Sequence, residues 1–270
     1  MARRESDLFR ALLRHQRTTR GLSQLDLALS ARTSARHVSF LETGRAQPSR
    51  AMVLRLSEAL GLSLRETNQF LESALQAPIF PETGEDALLN PVIDRALSRM
   101  LRHHEPYPMI VVNRGLEVTR SNEAANRLMT RFIAQPEAIT LPLNSLHMMV
   151  DPRLMRPFIE NWERVVRQVL CNLQREAMRH STDTVLSALL RSLADYPDVP
   201  SEYLDLSEPT APVLDITFAR DGERARFMTT LTKLSAPLDV TLEDLRIESF
   251  FPLDDETDAL CRRYAGCADG

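Results

Sequence analysis

The chain has 270 residues with 33 basic and 37 acidic side chains, a formal net charge of −4, and this length suffices for two domains with separate cores. Apolar residues make up 43% and charged residues 26%, which excludes collagen-like and intrinsically disordered chains. No run approaches the ~18 consecutive apolar residues of a membrane-crossing helix, the first ten residues lack the apolar core of a secretion signal, and three cysteines (Cys171, Cys261 and Cys267) without metal-ligand spacing fit a reducing compartment, so no membrane association and a cytoplasmic location are expected.

In chain order, the first helix is expected over 5–20, with Leu8, Phe9 and Leu12 in the core. Ser23 and Asp26 form a capping-box pattern that opens a second helix, in which Leu25, Ala28 and Leu29 repeat at helical spacing. Residues 31–34 are short and polar, and Thr33 or Ser34 caps a third helix carrying Val38 and Leu41 inward. Gly44 stands where a helix end needs a left-handed residue. Pro48 and Ser49 precede a fourth helix with Val53, Leu56 and Leu60, and Ser63 with Glu66 opens a fifth with Phe70, Leu71, Ala74 and Leu75. Five short helices joined by tight turns read as one all-α helix-turn-helix domain over 1–76.

The charge is divided accordingly. Residues 1–77 hold 12 arginines and 7 acidic residues, or +5, and the remainder holds 21 basic and 30 acidic residues, or −9, which together give −4. A basic head on an acidic body suits a DNA reader with a separate control domain. Pro78, Pro81, Gly84 and Pro91 break helices over 77–91, which is read as a linker.

Beyond the linker a helix is expected over 92–103. Met109 to Val112 reads as a strand, Asn113-Arg114-Gly115 as a turn and 116–120 as a second strand, and Asn122 caps a helix through Ala125, Leu128, Met129 and Phe132. A long amphipathic helix is expected over 157–180, with Phe158, Trp162, Val165, Val166, Val169, Leu170, Leu173 and Ala177 on one face, and a shorter one over 182–196. Leu214, Ile216 and Phe218 alternate, Asp221-Gly222 signals a hairpin, Ala225, Phe227, Thr229 and Leu231 alternate back, and 245–251 supplies a closing strand. Helices segregated from antiparallel strands indicate an α+β domain over 92–256, followed by a terminal tail over 257–270.

The segment Gly21-x-Ser23-Gln24, Leu27-Ala28, Leu41-Glu42-x-Gly44 and Pro48-Ser49 resembles the Cro/lambda-repressor-like, or XRE, helix-turn-helix family across roughly residues 6–75. Arg32 departs from the glycine usual in its turn. The resemblance implies that the third helix enters the major groove. Ser34, Ala35, Arg36, His37 and Ser39 then reach base edges with Phe40 beside them, and Arg36 is the choice for a bidentate guanine contact. Ser23 and Gln24 set register on a phosphate, and Arg45 and Arg50 touch the backbone.

Two strands, a turn and an Asn-capped helix are similar to the opening of a PAS domain. With Arg36-His37-x-Ser39-Phe40, His104-Glu105-Pro106-Tyr107-Pro108, Leu146-His147, Asn161-Trp162, Asp239-Val240-Thr241 and Glu248-Ser249-Phe250-Phe251-Pro252, the whole chain resembles an XRE-family regulator with a C-terminal MmyB-like, PAS-like ligand-binding domain. The loop after His147 runs Met148-Met149 where the family commonly continues with proline. The resemblance implies a bacterial transcriptional regulator, more often a repressor, working as a homodimer on an operator of double-stranded DNA. Its PAS-like domain would hold a small apolar ligand, with fatty acids as the class.

A pocket for such a ligand needs apolar walls and a few polar groups. The residues expected to line it are Met109, Val111, Met129, Phe132, Met148, Trp162, Val166, Phe227 and Met228, with Arg156, Arg164 or the Tyr107 hydroxyl holding a carboxylate. The same apolar residues also fit a plain core, in which case the domain serves dimerisation or a protein partner. An enzyme with a DNA-binding head is the third reading, but the chain carries no G-x-S-x-G, H-E-x-x-H, P-loop or G-x-G-x-x-G motif, so no catalytic residues are expected. His103-His104-Glu105 has metal-binding residue types, but adjacent side chains do not converge on one ion, so no metal and no cofactor beyond the apolar ligand are expected.

Overall fold

A computed structural model describes residues 2–179, 184–196, 198–199, 214–235 and 237–266. It divides into two compact units, residues 1–87 with 236–243, and residues 88–235 with 244–270.

The first unit is helical: α1 (Ala2–Thr19), α2 (Gln24–Ser30), α3 (Ala35–Thr43), α4 (Arg50–Leu60) and α5 (Leu64–Ser73). Local chemistry sets the boundaries. Ser23 and Ser63 each accept a hydrogen bond from the backbone of the residue three positions on, and Asp26 and Glu66 reach back to close both capping boxes. Ser34 and Ser49 cap α3 and α4 from extended backbone, and Gly44 and Gly61 end them at φ 74° and 61°. Arg32 takes the left-handed turn between α2 and α3 at φ 51°, the strained position that a glycine would fill without a Cβ penalty.

The core holds Phe9, Leu13, Leu27, Ala28, Ala31, Val38, Leu41, Val53, Leu56, Phe70 and Leu71, with the Phe9 and Phe70 rings 4.8 Å apart. Four apolar residues read from the helical repeats are exposed. Leu25 and Leu29 are 57% and 69% exposed, Leu8 and Leu75 are exposed as well, and α2 buries the face carrying Leu27 and Ala28. Both faces of α2 carry leucines, so periodicity could not decide which one packs. Residues 237–243 belong to this unit through hydrogen bonds: Val240 N–H to the Pro81 carbonyl (2.8 Å), Thr83 to Asp239 (2.8 Å), Gly84 N–H to Thr241 (2.9 Å) and Leu64 N–H to Glu243 (2.7 Å).

The second unit is α+β. Helix α6 (Pro91–His103) leads to strands β1 (Met109–Val112) and β2 (Val118–Ser121), then α7 (Glu123–Arg131), α8 (Ser145–Val150), α9 (Trp162–Arg179) and α10 (Thr184–Ser192). Strands β3 (Leu214–Arg220) and β4 (Glu223–Thr232) form a hairpin through Asp221-Gly222, at φ 51° and 82°, the primed turn matched to strand twist. The short α11 (Val240–Asp244) falls almost wholly in the first unit, and β5 (Arg246–Pro252) and α12 (Asp255–Tyr264) complete the second. The sheet is antiparallel in the order β2-β1-β5-β4-β3, so the closing strand sits centrally, between β1 and β4. The long helix starts at Trp162 rather than 157, because residues 156–158 form a separate 3-10 turn with Pro157 at its second position. His180, at the far end of that expected helix, and Thr182, the start of the next, lie outside the described residues, as does Cys267.

Residues 257–264 are not a loose tail but belong to α12. Asp254 caps α12, Thr257 is fully buried and accepts the Arg226 N–H (2.9 Å), and Leu260 and Cys261 are buried.

Candidate functional site

Helix α3 presents Arg36 on an exposed face, and the half-buried Phe40 lies beneath it, with the guanidinium carbon 5.2 Å from the ring centroid. Arg45 stacks on the same ring at 5.9 Å. Phe40 thus orders two arginines at little entropic cost. Arg36, Arg45 and Arg50 are exposed, and no carboxylate pairs with them among the described residues. Cations held out in this way are what phosphate and base-edge contacts require. Ala35, His37 and Ser39 are half-buried on the same helix, and Ser34 caps it through the His37 N–H (3.1 Å).

Ser23 and Gln24 have structural duties. Ser23 closes its capping box, and the Gln24 amide donates to Glu42 Oε2 (2.7 Å). Glu42 also accepts from Arg17 Nε (2.6 Å) and Nη2 (3.1 Å), and Arg17 donates further to the Leu22 carbonyl (2.7 Å). The Glu42 side chain is only 5% exposed. Burial pushes its carboxyl up, but the hydrogen bonds from Arg17 and Gln24 outweigh this and hold it below the usual range. This network pins α3 to α1 and α2. Glu42 stood in the sequence as a motif position without a role, because its partners lie 18 and 25 residues away.

The second unit contains a cavity of about 570 Å³, within the range of small-molecule sites. Ile110 and Leu116, Ala125 and Leu128, Leu146 and Met148, Val165, Ile216 and Phe218 form its apolar wall. Met129 and Met148 lie in that wall.

The other residues expected at a ligand lie elsewhere, each for a physical reason. Met109, Val111 and Met228 project from the opposite face of the sheet, since the residues paired with Glu248 are Ile110 and Leu231. Phe132 and Phe227 pack in the aromatic core against Phe218, at 5.4 and 6.5 Å. Val166 is buried in that core, whereas its neighbours Val165 and Val169 line the cavity. Trp162 donates its indole N–H to the Met149 carbonyl (2.9 Å) and stacks on Arg156 at 4.1 Å.

The expected carboxylate holders are committed as well. Arg156 pairs with Asp198 (2.6 Å), Arg164 with Asp215 (2.6 Å), and the Tyr107 hydroxyl donates to Asp258. The His104–Pro108 segment likewise fastens elements together, through His104 with the Phe250 carbonyl (3.0 Å) and Glu105 with Arg127 (2.7 Å).

The polar groups of the cavity come from two facing elements. Gln168, Asn172 and Glu176 are spaced four apart along α9, and Arg246 and Glu248 alternate on β5. Asn172 and Leu231 are exposed and mark the solvent side. Arg246 is 8% exposed and donates to Glu176 at 2.5 Å. A polar residue at every second position of a buried strand was the signal for this site. Among the described residues no group of His, Cys, Asp and Glu side chains has metal-binding geometry, and no helix is long and apolar enough to cross a membrane.

Residues 13–66 match the helix-turn-helix family model, and residues 93–263 match that of the MmyB-like transcription regulator ligand binding domain. No curated protein matches the chain. Among solved structures it is similar, at 14% identity and a TM-score of 0.27, to one titled "Structure of an RNA-binding Light-Oxygen-Voltage Receptor", the match covering 98% of this chain and 64% of that one. At that score the likeness bears on neither fold nor function. With the larger family match spanning more than half of its length, behind a DNA-binding head, the chain belongs to the MmyB-like transcription regulators, which are DNA-binding proteins with a ligand-binding domain and not enzymes.

Proposed function

We propose that the chain is a cytoplasmic, homodimeric repressor that binds a pseudo-palindromic operator through α3 and is controlled by an apolar ligand of the fatty-acid class. The observation that carries the ligand reading is the cavity of about 570 Å³ inside the second unit, apolar through most of its wall and polar along α9 and β5. That division suits an amphiphile with its tail buried and its head near Asn172, Glu176, Arg246 and Glu248. An open volume of this kind favours a ligand over a domain that serves only dimerisation or a protein partner. The exposed Arg36 on α3, with Arg45 and Arg50 flanking, supports base reading by Arg36 and phosphate contacts by the other two. The general docking geometry of the motif supports a dimer, in which two recognition helices meet half-sites about 34 Å apart.

The test is mass spectrometry of the full-length protein, native and after solvent extraction. A stoichiometric fatty-acyl mass that is lost on denaturation supports the reading. An apo mass that stays unchanged after incubation with fatty acids overturns it. Operator binding is tested separately. Arg36→Ala is expected to lose preference for the operator, by about 1–3 kcal/mol, while weak salt-sensitive binding remains. Retained preference in that variant would remove Arg36 as the base reader.

A further inference from the structure

The polar end of the cavity contains a carboxyl that the protein leaves unanswered. Strand register sets Glu248 between Ile110 of β1 and Leu231 of β4, so both of its cross-strand neighbours are apolar. Its side chain lines the cavity and takes no hydrogen bond from any described residue. Arg246, two residues earlier on the same face, offers it charge but no hydrogen bond, because its guanidinium is bound to Glu176. The Arg246 Nε is itself buried without an acceptor.

The charges decide what Glu248 does. Among the lining residues only Glu176, Arg246 and Glu248 are charged; β1 and β4 contribute apolar and threonine side chains, and α9 contributes Gln168 and Asn172 as well as Glu176. Glu176 and Arg246 cancel. An ionised Glu248 would have no hydrogen-bond donor among the described residues, and burial pushes its carboxyl up, toward the neutral acid. A neutral carboxyl is a hydrogen-bond donor. Each alternative head group leaves something unmet. An alcohol or ester gains only a neutral bond here, whereas a carboxylate gains a charge-assisted bond from the acid and lies beside the Arg246 guanidinium.

We propose that Glu248 reads the ligand's head as an acid, its carboxyl O–H donating to the carboxylate of an acyl ligand whose tail fills the apolar part of the cavity, with Arg246 alongside. The pocket then selects carboxylates over alcohols of the same length. The two carboxyl groups share one proton, and that proton must be present for binding. As pH rises Glu248 ionises, and two carboxylates face each other. Carboxylate affinity then falls, by up to tenfold per pH unit in the limit of one linked proton. The proposal rests on the acyl-ligand reading of the cavity.

The experiment measures binding of palmitate and of hexadecanol to full-length protein stripped of lipid, from mildly acid to alkaline pH. The wild type is compared with Glu248→Gln, which keeps a donor that cannot ionise. The expected result is palmitate affinity that falls with rising pH in the wild type but stays level in Glu248→Gln, and hexadecanol affinity that is level in both. The wild-type comparison of the two probes stands even if the variant fails to fold. Parallel pH profiles for palmitate and hexadecanol in the wild type would overturn the role of Glu248 while leaving the acyl cavity intact. Binding of neither probe would remove the acyl reading and this proposal with it.

Discussion

Glu42→Ala tests whether α3 is held by a buried ionic network. The substitution removes the acceptor for Arg17 Nε and Nη2 and for the Gln24 amide, at 2.6, 3.1 and 2.7 Å. The Arg17 side chain is 12% exposed and keeps only the Leu22 carbonyl. Leaving one partner of a buried pair behind costs about 3–5 kcal/mol. The low end applies, because the Leu22 bond survives and α3 ends nearby at Gly44. A unit of this size holds about 5–14 kcal/mol of stability in all, so ~3 kcal/mol is a large share. The assay is urea unfolding of the full-length protein at neutral pH, followed by far-UV circular dichroism. With slopes of about 1–3 kcal/mol per molar urea, the transition of the first unit should move down by about 1 M or more. The pH dependence has a definite sign. The Glu42 carboxyl is held below its usual range, so its contribution is present above the ordinary glutamate range and is lost as pH falls through the lowered value. The gap between wild type and variant must therefore close on acidification. The control is Glu72→Ala, at an exposed carboxylate on α5. Equal midpoints for the two variants would refute the network as a stabiliser of the head.

Asn122→Ala should destabilise the second unit by about 1–3 kcal/mol, because the buried Asn122 accepts from Met109 N–H (2.9 Å) and Ala125 N–H (3.0 Å) and donates to the Tyr107 carbonyl (2.8 Å); thermal unfolding measures this. Leu29→Ser should change stability by no more than about 0.5 kcal/mol, since Leu29 is 69% exposed, and a larger loss in urea would mean that this face of α2 is covered in solution. Burial pushes the Cys261 thiol up to about 12, so iodoacetamide at mildly alkaline pH should modify it only after unfolding, as read by peptide mass mapping; rapid labelling of the native protein would show that α12 opens.

Local chemistry along the chain suffices to specify the helix-turn-helix. Ser23 with Asp26, Ser63 with Glu66, Gly44 and the left-handed Arg32 each act within a few residues of themselves. The same holds for the Asn122 cap and the Asp221-Gly222 turn in the second unit. Hydrogen bonds across three or four positions are written in residue order, and so they can be read from it.

Choices between surfaces that look alike in sequence fall instead to tertiary packing. Leucines occur on both faces of α2, and only packing against α3 and α4 shows that Leu27 is inside and Leu29 outside. On β1, Met109 to Val112 is apolar throughout, so strand pairing had to settle which alternate residues meet the cavity. The Glu42 network and the Arg246–Glu176 pair join residues up to 70 positions apart, and residues 237–243, late in the chain, join the first unit. Contacts of that range depend on where elements come to rest, a global balance of burial and chain entropy that residue spacing does not encode.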